Sequence, residues 1–375
     1  MKIPLSSMDY YFFRRSLYTI QLIFEYQGHL DIQQLTKNLE KTIRTFTAVG
    51  SRIKIISDYE VILETGHPIS VKNRSVVDEP LLNSFSETDE FLNSVENNED
   101  QPLVTALVTH TPTRSFVGFS FSHLLGDGAS FFEFLDSLSK VSQSEELTKQ
   151  PANQRELLQR KHTNSSNTQN LFEATGYIQP RPKNPPISDL ETFAMTEKQL
   201  RDLRKQCADH GVIVSNNDIL MAELAKRFHQ YIPPFENKII VRCPVDYRNI
   251  LGLPSGYFGN AVRDAIAIFE VGEIESLPFH KVAARIRQSI QGVDRKSIEN
   301  SLIRLDKLRM DEGIRAFENV GCPGLLVSNL SKFPMSKINL GLGSPIGFYH
   351  ASLNPRLGLI LPAADGVRVV FRRPG

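Results

Sequence analysis

The stretch FSFSHLLGDGASFFEFL, which ends at Leu135, carries a histidine, His123, four residues before an aspartate, Asp127, with Gly126 and Gly128 on either side of the acid. The run Phe116 to Phe121 reads as a strand. It predicts that a strand delivers His123 into a tight turn and that Asp127-Gly128 opens an amphipathic helix. Strand ends commonly present reactive side chains. An imidazole there can take the proton from an attacking hydroxyl as its bond to a carbonyl forms, then protonate the leaving group. An arginine on Asp127 would lock the turn and aim a ring nitrogen into a cavity.

Read alone, H-x-x-x-D describes a hydrogen-bonded histidine at a strand end and a helix N-cap equally well. A metal pair is not expected, because Gly126 breaks the helix that would align ligands four apart and no third ligand is near in sequence. No serine or cysteine sits in a nucleophile elbow.

The elements that must position this turn alternate in type. A strand is expected near Leu17 to Tyr26, then a helix over Asp31 to Phe46, with Asp31 and Gln34 as its capping pair. Strands follow at Ile53 to Ile56, Glu60 to Glu64 and Leu103 to Thr109. From Ser142 to Pro186 the pattern decays through HTNSSNTQN and PRPKNPP, which marks a connector holding a short helix around Arg155 to Arg160. ETFAM resumes as a strand, and Thr196 with Gln199 frames a capping box ahead of Leu200 and Leu203. A helix over Asn216 to Gln230, strands at Lys238 to Pro244 and Ala261 to Phe269, two helices between Phe279 and Phe317, and strands at Gly358 to Leu361 and Val367 to Phe371 complete the reading. The class is α/β, divided as residues 1–141, a crossover connector over 142–186, and 187–375.

Length suits two units of this size. With 41% hydrophobic and 23% charged residues the chain can bury cores, and a net charge of +1 gives no reason to expect nucleic acid or a membrane surface. Three scattered cysteines, Cys207, Cys243 and Cys322, make no disulfide framework and have no metal-ligand pairing. The start MKIPLSSMDYYFF carries no signal-peptide pattern, and no apolar run approaches membrane-span length, so a cytoplasmic monomer is expected.

H-x-x-x-D-G after a strand resembles the signature of the BAHD acyltransferases and their coenzyme A-dependent superfamily. Further segments match in order: the opening PLSSMDYYFF, VSNNDILMAELAKRF, PVDYRNILGLPSGYFGNAV, VSNLSKFPMSKINLGLGSPIGF and LGLILPAADGVRVVF. The resemblance implies two chloramphenicol-acetyltransferase-like α/β domains, mixed sheets with flanking helices, and a channel at their interface. It implies acyl transfer from acyl-coenzyme A, as co-substrate with no permanently bound cofactor, to a hydroxyl or amine of a small-molecule acceptor in a ternary complex. His123 would be the general base, Asp127 a structural partner and Arg248 its cation, with Arg242 the second choice because two residues are missing after the arginine. Ser328 or Asn329 could supply an oxyanion donor. Ser215, Asn216 and Asn260 would face the cofactor, the first two through a helix N-terminus suited to phosphate.

Departures from the family pattern are also legible. Its D-F-G-W-G stands here as Asn339-Leu340-Gly341-Leu342-Gly343, so any ion pair made there is lost while an amide acceptor remains. Altered packing is expected rather than lost chemistry. Condensation-type domains, which act on carrier-bound acyl groups, typically have two adjacent histidines, and Ser122 occupies the first place here. A non-catalytic scaffold relative is the remaining alternative.

Overall fold

The structure is a computed structural model that describes residues 1–13, 19–147, 150–159, 189–232, 234, 237–318, 324–353 and 357–373. Most of the expected connector, and Cys322, lie outside these residues.

The early elements are β1 (Lys2–Pro4), α1 (Ser7–Tyr11), β2 (Thr19–Gln27), α2 (Ile32–Thr45), β3 (Ser51–Ser57), β4 (Glu60–Thr65), β5 (Ser70–Ser75), β6 (Val104–His110), β7 (Arg114–Ser122) and α3 (Gly128–Ser142). Helix starts follow local chemistry. Ser6 and Asp9 form a capping box at α1, and the Asp31 carboxylate accepts the Gln34 N–H at α2. Every residue of β7 after Arg114 is buried, as expected of a strand with both neighbours paired and both faces covered.

A 3-10 turn at Arg155–Leu158 stands in the connector, where the sequence expected a short helix around Arg155 to Arg160, the last of which lies outside the described residues. Then come β8 (Leu190–Met195), α4 (Glu197–Asp209), α5 (Asn216–Phe228), β9 (Lys238–Asp246), β10 (Val262–Glu270), α6 (Phe279–Gln291), α7 (Arg295–Glu312), β11 (Leu325–Asn329), β12 (Gly347–His350), β13 (Leu357–Pro362) and β14 (Val367–Arg372). Thr196 and Gln199 do form the capping box of α4. Helix α5 stops two residues short of the expected Gln230, passing into a 3-10 turn at His229–Tyr231.

One mixed sheet runs β12-β2-β7-β6-β5 and another β10-β9-β11-β13-β14-β8, beside a small β1-β4-β3 sheet. Strand β11 lies parallel to both β9 and β13, while the β9–β10 and β13–β14 pairs are antiparallel. The late strand β12 pairs with the early β2, Tyr349 opposite Ile23, so the two halves share a sheet edge. One core crosses the seam as well: Phe121, Phe131 and Leu135 pack in the same cluster as Phe258, Leu330, Met335 and Leu361. Burial of this apolar surface is what holds the halves in register.

Strands β1, β5, β11 and β12 were not expected from the sequence. β5 reads SVKNRS, a polar edge with no alternation, and β1 and β12 span only three and four residues. Their pairing comes from tertiary neighbours rather than propensity.

Asn339 shows how the altered segment closes without an acid. Its side-chain oxygen accepts the N–H groups of Gly341 (2.8 Å) and Gly343 (3.0 Å), and its own N–H donates to Ser139 Oγ on α3. Both glycines sit at positive φ, +112° and +84°, which a side chain would strain. Leu340 is buried in the shared core.

Candidate active site

Strand β7 ends at Ser122, and Ser122 already turns the chain: its hydroxyl accepts the Leu124 N–H while its carbonyl accepts that of Leu125. The turn continues to Asp127, which caps α3 by accepting the Ser130 N–H. Gly126 is required by close approach, since a Cβ there would lie 2.6 Å from Ser130 Cβ. This sets His123 against Asn260 of the later half.

Arg248 reaches back from a helical turn at Arg248–Leu251 to grip Asp127 at both oxygens, 2.8 and 2.9 Å. The remaining lone pair of Asp127 Oδ2 accepts the Ala261 N–H. Arg248 also donates to Ser130 Oγ and to the Gly259 carbonyl, and Ser130 bonds both backbone groups of Gly259. Arg242, the alternative cation, is not used here; it faces Asp264 at 2.7 Å on the neighbouring strand. Burial favours the neutral acid at Asp127, but the Arg248 charge and these N–H groups outweigh it and hold the carboxyl below its usual range.

Asn260, which the resemblance set facing the cofactor, instead has its side chain bonded to protein groups. Fully buried, it commits its amide nitrogen to Asp9 Oδ1 and the His123 carbonyl, both at 2.8 Å, and turns its amide oxygen to His123 Nδ1 at 2.9 Å. Two acceptors on the nitrogen side fix which way the amide points, so Nδ1 must carry the ring proton and Nε2 is left with its lone pair. Phe12 stacks on the imidazole, with centroids 3.8 Å apart and planes 11° apart. Burial of the ring lowers its pKa, more than the nearby Asp127 charge raises it, so the neutral base persists to lower pH than an exposed histidine.

Ser215, Asn216, Ser328 and Asn329 belong to a second group, on the other sheet. Ser215 is held in the capping box of α5 by Asp218, and the Asn216 amide oxygen is buried with no bonding partner among the described residues. Asn329, at the end of β11, donates to Asn217 Oδ1 at 2.8 Å and accepts from Ser331. Asn217 also reaches Cys243 Sγ, whose thiol burial pushes up to about 11, far from a thiolate nucleophile. Just beyond β11, Leu330 and Phe333 face Gly128, and Phe333 stacks on Phe132 of α3.

Sequence reasoning missed Asp9, Arg155 and Phe12. Asp9 reads as an ordinary capping residue in SSMD, and Arg155 lies in a stretch read as connector. Nothing in the composition marks either as part of the histidine's surroundings.

The family model described as Transferase: Transferase family matches residues 3–370. Two curated plant relatives are a shikimate O-hydroxycinnamoyltransferase of Nicotiana tabacum, 23% identical over 61% of this chain, and a hydroxycinnamoyltransferase of Narcissus pseudonarcissus, 23% identical over 71%. The matched regions span 56% and 64% of those relatives' own length. Among solved structures, F. sporotrichioides TRI101 complexed with coenzyme A and T-2 superposes over 100% of this chain and 95% of its own, with a TM-score of 0.77 at 15% identity. That likeness establishes the two-domain fold. With a family match running nearly from end to end, the chain belongs to the Transferase family, the BAHD-type acyltransferases.

Proposed function

We propose that this protein transfers an acyl group from acyl-coenzyme A to a hydroxyl or amine of a small-molecule acceptor, with His123 as general base. The carrying observation is that Asn260 Oδ1 holds Nδ1 and leaves Nε2 as the free basic nitrogen. As the acceptor oxygen or nitrogen attacks the thioester carbonyl, Nε2 takes its proton. The tetrahedral oxyanion then collapses, the carbon–sulfur bond breaks, and the imidazolium returns the proton to the departing thiolate. One residue serves both transfers, so no acyl-enzyme is needed.

Asp127 and Arg248 take no part in proton transfer; they hold the turn. The oxyanion is assigned to the second amide hydrogen of Asn329 or to the Ser328 hydroxyl, and the coenzyme A phosphates to the first turn of α5 at Ser215 and Asn216. Relatives named for hydroxycinnamoyl transfer, and a neighbour solved with coenzyme A, support the donor class. The working form is read as a cytoplasmic monomer of two units, residues 1–141 and 187–375, joined by 142–186. No helix among the described residues is long and apolar enough to cross a membrane.

The test is thiol release by the purified protein across acyl-coenzyme A thioesters and acceptor pools, with mass spectrometry of the products. Acylated acceptor formed in step with free thiol supports the reading. Coenzyme A binding without turnover on any pair would favour a scaffold instead.

A further inference from the structure

Asp9 and Arg155 are both fully buried, 2.6 Å apart, one in α1 and the other in the 3-10 turn of the connector. A buried ion pair carries a desolvation cost that its own attraction barely offsets, so stability alone is a weak reason to have one. What each partner holds is more telling. Asp9 Oδ2 accepts the Ser6 N–H as well as Arg155, and Oδ1 accepts the Asn260 side-chain amide. Arg155 donates to the carbonyls of Leu124 and Leu125, the two residues that follow His123.

We propose that Asp9 and Arg155 are positioning residues for His123, the pair fixing its ring proton through Asn260 and its backbone through the turn carbonyls. This rests on the reading of His123 as the base. Were the Asn260 amide to flip, its oxygen would face a carboxylate and a carbonyl, two acceptors with no hydrogen between them. The Asp9 charge makes that orientation unfavourable, which keeps the amide oxygen on Nδ1 and the lone pair on Nε2. Arg155 neutralises Asp9 in its buried site and ties the turn from beneath, so the connector becomes part of the active-site support.

The experiment uses full-length protein labelled with 15N-histidine, the His123 signals being assigned by their loss in His123→Ala. Asp9→Asn can offer either an oxygen or an amide to Asn260, so both tautomers become accessible; Asp9→Asn with Arg155→Met removes both charges and guards against a variant that fails to fold. The expected result in both is a growing share of the Nε2–H tautomer and a fall in kcat of about tenfold or more, with the thioester KM within about twofold. An unchanged tautomer and an unchanged kcat per folded molecule in the double variant, with only the melting temperature lowered, would overturn the proposal. Should the parent turn over no thioester, the functional reading fails, and the tautomer shift still decides the positioning claim.

Discussion

Arg248 closes a two-pronged ion pair on Asp127, 121 residues before it in the chain, and does so across the seam between the two halves. The carboxylate is almost wholly buried and its oxygens are filled by the guanidinium and by the backbone N–H groups of Ser130 and Ala261. A fold contact and an active-site contact are therefore the same contact.

Replacing Arg248 by Met should cost about 3–5 kcal/mol, because Asp127 is left buried without its cation, and Asp127→Asn should cost less, because Arg248 keeps Asp246 at 3.2 Å. Thermal melts and steady-state rates should fall together. Because the Asp127 pKa is depressed in the folded state, its contribution is full above the unfolded carboxylate's pKa of about 3.9 and is lost as pH falls through the folded value. The acid side of the parent's stability profile should thus be steeper than that of Asp127→Asn. Parent-like melting and turnover in both variants would refute the role given to the pair.

Gly126→Ala tests the turn without touching a charge. Its methyl would press on Ser130, which itself holds Gly259, and overpacking of this kind costs about 1–3 kcal/mol. The expected outcome is a folded but destabilised protein with reduced kcat, checked by calorimetry and initial rates. No change in either would mean that the turn yields freely.

Much of this was readable in the sequence, and the exceptions have physical causes. The His123 turn, the capping boxes and the strand-helix order are local: a few neighbouring residues decide them, and the sequence shows those residues directly. Asp9, Arg155 and the true partner of Asn260 are contacts across 137 or more residues, and pattern gives no hint of such pairings. Strand β12 was invisible for the same reason, since four residues become a strand only against β2. The sequence preferred Arg248 to Arg242 as the cation for Asp127, and the structure agrees: Arg242 sits on β9 paired with Ile266 of β10, and its guanidinium bonds Asp264.

Limited proteolysis should cut first between Ser142 and Pro186, where polar residues and prolines concentrate in the sequence. The two fragments should stay associated, because the core and the β2–β12 edge join them. Size-exclusion chromatography after the first cut checks this. A first cleavage inside Phe116 to Leu138 would contradict the organisation, since that stretch is the buried strand and helix around the turn.

The pH dependence of kcat/KM should show an acid limb whose midpoint lies below about 6.5, the unperturbed histidine value. Burial lowers the His123 pKa, and the neutral ring is the active form, so activity rises with pH through that lowered value and is level above it. Rates from about pH 5 to about pH 8 suffice, with pH-jump controls for stability. A midpoint at or above the unperturbed value would mean that the titrating group is not this buried imidazole.

The most direct test of the central claim is the ratio of turnover to coenzyme A affinity in His123→Ala. Thiol release gives kcat, and calorimetry gives the affinity of parent and variant for coenzyme A. With His123 as the base, the variant folds, keeps parent-like affinity and has a chemical step slower by about 10²–10⁴-fold, the usual contribution of a general base. Parent-like turnover in that variant would remove His123 as the base.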